Sequence, residues 1–241
     1  MHRPRLAALG ALGALGLTVT LAACGGDDGE DEDFVDTSSI ASLLLTSEDA
    51  PSGYSWNSVA EVLEGAGDDL GQQLDASAAS VTTSPENCAA LVPTADDLLA
   101  EIYDHSDTVG AIEFLPDDED DPAVIDAVVS IADDGDTALL AGGDLDVDQC
   151  GEFTRTYADG SVTNYRANAQ KASIAATDDT TVITVLSDSA TEGEEITSTV
   201  TGTVDGVHFR ITAVGVTDTD VVTSLAEAQV ARITGVREGQ D

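Results

Sequence analysis

Two acidic strings invite a metal reading. Asp144-Leu145-Asp146-Val147-Asp148 sets carboxylates on alternating positions, as the opening of a calcium loop does. The string then departs from that pattern. Gln149 stands sixth, where the turn glycine belongs, and Arg155 stands twelfth, where a bidentate Glu belongs. Asp117-Asp118-Glu119-Asp120-Asp121 offers loose divalent binding. In a chain with 47 acids such runs arise from composition, so both read first as solvated loops. Nucleophilic chemistry has one candidate. Tyr103-Asp104-His105-Ser106-Asp107 brings Asp, His and Ser together in sequence, but a triad is assembled by tertiary geometry. No GxSxG, SxxK, HExxH or phosphate-loop motif occurs, and adjacent Asp and Ser side chains in a turn cap locally. His208 falls beside Phe209 on an expected strand and reads as a strand residue. Trp56, close to Tyr54, suits a ligand cleft or an anchor for the N-terminal segment, with the anchor preferred. The residues point to no catalytic set, no metal and no cofactor, and so to a non-enzyme.

The cysteines carry a clearer message. Residues 1–24 run from Arg3 and Arg5 through an uncharged apolar stretch to Leu21-Ala22-Ala23-Cys24. That order of positive, apolar and small residues is the order of a secretory signal peptide. The closing Leu-Ala-Ala-Cys resembles the lipobox of bacterial lipoproteins. The resemblance implies a diacylglyceryl group on Cys24 and cleavage just before it. Two acyl chains then hold the protein on the outer face of the cell membrane. The alternative is an uncleaved signal anchor with an ordinary Cys24. Cys88 and Cys150 remain, and an even remainder in an exported chain points to one disulfide. Such a bridge is worth about 4 kcal/mol on the chain-entropy model. Neither cysteine has a CxxC partner or a matched His set, so redox and zinc readings fall away.

Charge narrows the partners. The chain of 241 residues carries 47 Asp or Glu against 8 Lys or Arg, a net charge of −39. Nucleic-acid binding and a basic membrane-surface patch both need Lys and Arg, so both are excluded. Removing residues 1–23 takes away Arg3 and Arg5 and no acid, which leaves 47 acids against 6 bases, net −41. Residues 24–36 hold Cys24 and then seven acids between Asp27 and Asp36. Such a block has too few apolar residues to offset its ordering entropy and reads as a disordered, self-repelling tether. The remaining acids belong to the folded part, whose self-repulsion salt should relieve.

The globular part is expected over residues 37–235, with a short tail at 236–241. A capped helix is expected over 37–46, with Ile40, Leu43 and Leu44 on one face. Residues 47–54 read as a turn, 56–80 as ambiguous with helix permitted, and 86–103 as a helix interrupted at Pro93. Strands are expected over 109–115, 123–132, 153–157, 162–167, 173–176, 182–186, 196–204 and 208–216, with a short helix at 137–145. Asp159-Gly160 and Asp205-Gly206 mark two hairpins. An amphipathic helix over 221–233 closes the chain, with Val222, Leu225, Ala226, Gln229 and Val230 on one face. Hairpins outnumber crossovers. The expected fold is therefore α+β, a mainly antiparallel sheet with helices on one face.

Three stretches carry a family resemblance. Leu43-Leu44-Leu45-Thr46-Ser47-Glu48-Asp49-Ala50-Pro51-Ser52-Gly53-Tyr54 is a leucine-rich opening followed by Pro-x-Gly-aromatic. Ser84-Pro85-Glu86-Asn87-Cys88 is a Pro-x-x-Cys element, and Cys150 follows after a sheet segment. With the lipobox at Cys24, these resemble actinobacterial cell-envelope lipoproteins of unassigned function. More distantly they resemble the extracellular sensor domain of mycobacterial serine/threonine kinases. The resemblance implies an α+β domain with an antiparallel sheet and no catalytic residues. It implies an envelope ligand or protein as partner besides the membrane. The family's sensor domains have two disulfides and a cleft thought to bind a ligand, whereas this chain offers one bridge and no kinase portion. An envelope hydrolase and a lipid-carrying structural lipoprotein are the competing functions.

Overall fold

Runs of Val, Ile and Thr alternate in character along much of the second half of the chain, and this pattern builds the sheet. The computed structural model describes residues 37–65, 69–118, 120–131, 149–177, 179–189 and 193–238. The strands are β1 Tyr54–Ser58, β2 Thr82–Ser84, β3 Val109–Pro116, β4 Val124–Ser130, β5 Glu152–Thr156, β6 Val162–Lys171, β7 Asp179–Ser189, β8 Gly193–Val204 and β9 Val207–Val214. They form one sheet in the order β1-β3-β4-β9-β8-β7-β6-β5-β2, and each neighbouring pair in it is antiparallel. The helices are α1 Thr37–Leu43, α2 Val59–Glu64, α3 Leu70–Ala78, α4 Ala95–Asp104 and α5 Thr219–Glu238. Helical turns at Ser47–Asp49 and Glu86–Leu91 join them. All of this lies in one compact unit, Val35–Asp241, which contains its own cores and disulfide.

The α+β class and the antiparallel sheet agree with the sequence reading. The hairpin at Asp205-Gly206 has positive φ at both residues, 50° and 77°, the type I′ geometry that Asp-Gly favours. The last helix buries Val222, Leu225, Ala226, Gln229, Val230 and Ile233, and it runs from Thr219 to Glu238, past the expected helix of 221–233 at both ends. Val236 packs against the core and carries the helix on. Residues 173–176 form a connection and not a strand. Ala176 has φ 64°, and Ile174 plugs the core while the chain reverses between β6 and β7. The helix expected at 137–145 and the string Asp144 to Asp148 lie outside the described residues, as do Cys24 and the tether.

Helices occupy both faces of the sheet. Directly opposed residues of an antiparallel pair share a face, so register assigns each side chain. Ile112, Ala127, Ile211 and Val200 are successively opposed, and they form the first face. Here α1 and α5 seal one large core with Phe114, Ile125, Phe209 and Ala213. Ala111, Val128, Arg210 and Thr201 are likewise opposed and form the second face. It carries two apolar patches. One joins Val59 and Ile102 to Val109, Ala111 and Val128 beneath α2 and α4. The other joins Cys88, Leu91 and Cys150 to Phe153, Tyr165, Ile183 and Val185. Each patch recruits its own helical cover, because an apolar patch left in water forfeits its hydrophobic stabilisation.

Candidate functional site

One hydroxyl opens a cavity at the sheet edge. Ser58 Oγ accepts from Glu61 N at 3.4 Å and caps α2, so β1 ends there. β1 therefore pairs only with Ile112–Pro116 of β3. The remaining edge, Val109–Ala111, faces a half-open cavity of about 630 Å³. Its walls are Ile40, Ala41 and Leu44 of α1 and the loop after it, and Ala60 and Leu63 of α2. Ile102 of α4 completes the apolar lining. The polar lining residues are Glu64, Tyr103 and Ser106, and all three are exposed, so they stand at the mouth. An apolar interior with a few polar groups at one end is the usual form of a small-molecule site.

Close packing fixes these walls. A Cβ on Gly110 would lie 3.1 Å from Leu44 Cδ1 and 3.2 Å from Ile40 Cγ1, so a side chain there would push α1 off the edge. A Cβ on Gly71 would lie 3.0 Å from the Tyr103 ring, so α3 holds that ring in place. On the far wall, α4 starts with a reciprocal cap. Thr94 N donates to Asp97 Oδ2 at 2.8 Å, and Asp97 N donates to Thr94 Oγ1 at 3.0 Å.

The middle of the second face is polar and belongs to the architecture. Asn57, Glu113, Asp126, Thr212 and Thr199 are opposed in one row across five strands. Asn57 Nδ2 donates to Glu113 Oε2 at 3.1 Å, and the Thr199 and Thr212 hydroxyls lie 3.3 Å apart. Burial first, and then the Glu113 charge, push the Asp126 carboxyl up to about 7, with Arg210 opposing. Buried Arg210 donates from Nε to Thr212 Oγ1 at 3.0 Å and from its two terminal nitrogens to the carbonyls of Ala90 and Leu91, at 3.0 and 3.2 Å. Burial lowers its own pKa to about 10, and Asp126 opposes that. Arg155 holds the preceding carbonyl, Ala89, at 3.0 Å. Two buried arginines thus bind three consecutive carbonyls at the end of the Glu86–Leu91 turn, and the Cys88–Cys150 disulfide ties the same turn to the sheet.

The sequence candidates separate cleanly. His105 Nε2 lies 3.9 Å from Glu101 Oε1, one helical turn back, and Ser106 stands at the cavity mouth. Three carboxylates of the Asp117–Asp121 loop accept hydrogen bonds within the protein. Asp117 accepts from Ser55 Oγ at 2.6 Å, Asp118 from Asp120 N and Asp121 from Ala123 N, both at 3.0 Å. Among the described residues no group of three His, Cys, Asp or Glu is placed to hold a metal ion. His208 Nδ1 lies 3.0 Å from Thr203 Oγ1 across the β8–β9 hairpin. Trp56 Nε1 donates to the Leu45 carbonyl at 3.2 Å, which is the anchoring role. The cavity itself was missed by the sequence reading. Its one signal was Ser58 as a helix cap directly after the alternating Tyr54-Ser55-Trp56-Asn57.

Comparison with known proteins places this geometry in a fold. No family model and no curated protein matches the chain. A putative uncharacterized protein from Mycobacterium smegmatis aligns over 82% of this chain and 96% of its own, at 13% identity and TM-score 0.38. The extracellular domain of PknH from Mycobacterium tuberculosis aligns over 83% of this chain and 97% of its own, at 14% identity and TM-score 0.51. The chain is therefore similar in fold to that extracellular domain.

Proposed function

We propose that the protein is an exported envelope lipoprotein whose domain binds a ligand without catalysis. In this reading residues 1–23 are removed, Cys24 carries the lipid, residues 24–36 form the tether and 37–235 the binding domain. The cavity at the β3 edge is the observation that carries the binding role, since its interior is apolar and its polar groups stand at the mouth. The similarity to an extracellular domain supports placement outside the cell. Mass spectrometry of the protein purified from its native membrane tests both halves. We expect a diacylglyceryl mass on Cys24 that vanishes in Cys24→Ala, and a co-purifying small molecule that is lost when Ala41→Trp fills the cavity. A lipid mass that persists in Cys24→Ala sinks the anchor. A cavity variant that retains the small molecule sinks the site.

The same cavity favours a second reading, lipid carriage. Transfer of a labelled lipid between vesicles would separate the two, because a sensor holds its ligand and a carrier delivers it.

A further inference from the structure

The cavity mouth lies in a stretch of chain rich in acids and without Lys or Arg. From Leu6 to Thr154 the sequence contains no Lys and no Arg. Every cavity-lining residue falls within that span. Glu64 lines the mouth, with Glu61 one turn earlier on α2. Tyr103 and Ser106 at the mouth are each followed by an acid, Asp104 and Asp107, and His105 between them lies 3.9 Å from Glu101 Oε1. Glu61, Glu64, Asp104 and Asp107 are exposed. Arg155 and Arg210 are buried and bound to backbone carbonyls near the other apolar patch of the second face, and Arg232 Nε donates to the Ser42 carbonyl of α1 at 3.1 Å. A carboxylate, sulfate or phosphate head at this mouth would meet Glu64, the one charged side chain in its lining. A cationic head would meet Glu64, and beside it the exposed face of Tyr103, which α3 holds in place.

We infer that the cavity takes a cationic amphiphile: an apolar tail against Ile40, Leu44, Leu63 and Ile102, and an ammonium head between Glu64 and Tyr103. This rests on the binding role proposed above and names the ligand class for it. The tail supplies affinity by burial, and the head supplies selection by charge. Selection by an exposed mouth is electrostatic, so it weakens as salt screens it, while tail burial does not.

Calorimetric titration of the Val35–Asp241 unit with three amphiphiles of one tail length tests this. The probes are dodecyltrimethylammonium, dodecyl maltoside and dodecyl sulfate, all below their micelle concentrations. We expect the ammonium probe to bind at least about fivefold tighter than the maltoside, and the sulfate to bind weakest. Glu64→Gln should bring the ammonium and maltoside probes together, and molar salt should do the same. Ala41→Trp should weaken all binding about tenfold or more, while circular dichroism shows the fold intact. Maltoside or sulfate binding as tightly as ammonium, still blocked by Ala41→Trp, would overturn the ligand class and leave the binding role standing. Ammonium binding untouched by Ala41→Trp would be surface neutralisation and would overturn the site. No binding by any probe would overturn both.

Discussion

Strands β8 and β9 present two different proteins on their two faces. Toward α5, β9 offers Phe209, Ile211 and Ala213, all fully buried. On the opposite side the same strand offers His208, Arg210 and Thr212, and β8 offers Thr197, Thr199, Thr201 and Thr203. Backbone pairing is common to both faces, so the difference lies in side chains alone. The first face is a packed core that asks only for shape and volume. The second face holds buried hydroxyls and an arginine, each of which needs a partner. It divides the cover of that face into two blocks, α2 to α4 at one end and the Glu86–Leu91 turn at the other. A split cover leaves room at its margin, and the cavity lies at one such margin.

The largest expected effect strikes the first face. Phe209→Ala empties the centre of the core beneath α5, and we expect a loss of about 3–5 kcal/mol in chemical denaturation. Loss of less than about 1 kcal/mol would mean that the first face is not the main source of stability. Next comes the arginine clamp. Arg210→Ala removes the donors to the Ala90 and Leu91 carbonyls, and we expect a cost of about 3 kcal/mol. The disulfide keeps the same turn attached, so hydrogen exchange should rise at 86–91 while α5 stays protected. Uniform loss of protection over both faces would show that they unfold as one unit, and the contrast between them would fall.

A smaller effect appears with pH, and only the second face should show it. The Asp126 carboxyl is raised to about 7 in the fold, against an ordinary value of 3.8. The folded state therefore holds this proton more tightly than the unfolded chain does. Its contribution to stability is complete below the ordinary value and is lost as pH rises through about 7. Asp126→Asn should remove that slope and leave the variant more stable than the parent by about 2 kcal/mol above pH 8, a value reduced because Asp126 is only partly buried. Urea midpoints measured across pH for both proteins decide it. Parallel curves would show that Asp126 is already ionised in the neutral fold.

The first face was legible in the sequence and the second largely was not. Val222, Leu225, Ala226, Gln229 and Val230 lie at helical spacing, and the structure buries them all. The two Asp-Gly hairpins announced themselves because their turns demand those residues. β1 escaped notice because five residues of alternating aromatic and polar type followed a turn and led into a helix. The polar row escaped because it is made by register. Glu113, Asp126 and Thr212 come from three strands, and no local pattern marks them as neighbours. The cavity escaped for the same reason, since α1, α2, α4 and the edge of β3 meet only in the fold. Helices on both faces follow from the same cause, because the apolar patches of the second face are assembled across strands.

Trp56 gives the smallest and most local test of the contrast. It lies opposite Phe114 on β3, on the first face at the sheet's edge, and its indole nitrogen holds the Leu45 carbonyl just after α1. Trp56→Phe keeps an aromatic ring against the strand and deletes that one hydrogen bond. Trp56 is 36% exposed, so water replaces part of what is lost, and we expect a cost of about 1 kcal/mol. Because Leu44 and Leu45 follow α1 directly, the change should also loosen the wall that Leu44 gives to the cavity. Affinity for the ammonium probe should then fall by a small factor while its margin over the maltoside probe stays constant. A change in that margin would mean that the first face also shapes the charged mouth, and the two faces could no longer be treated as separate.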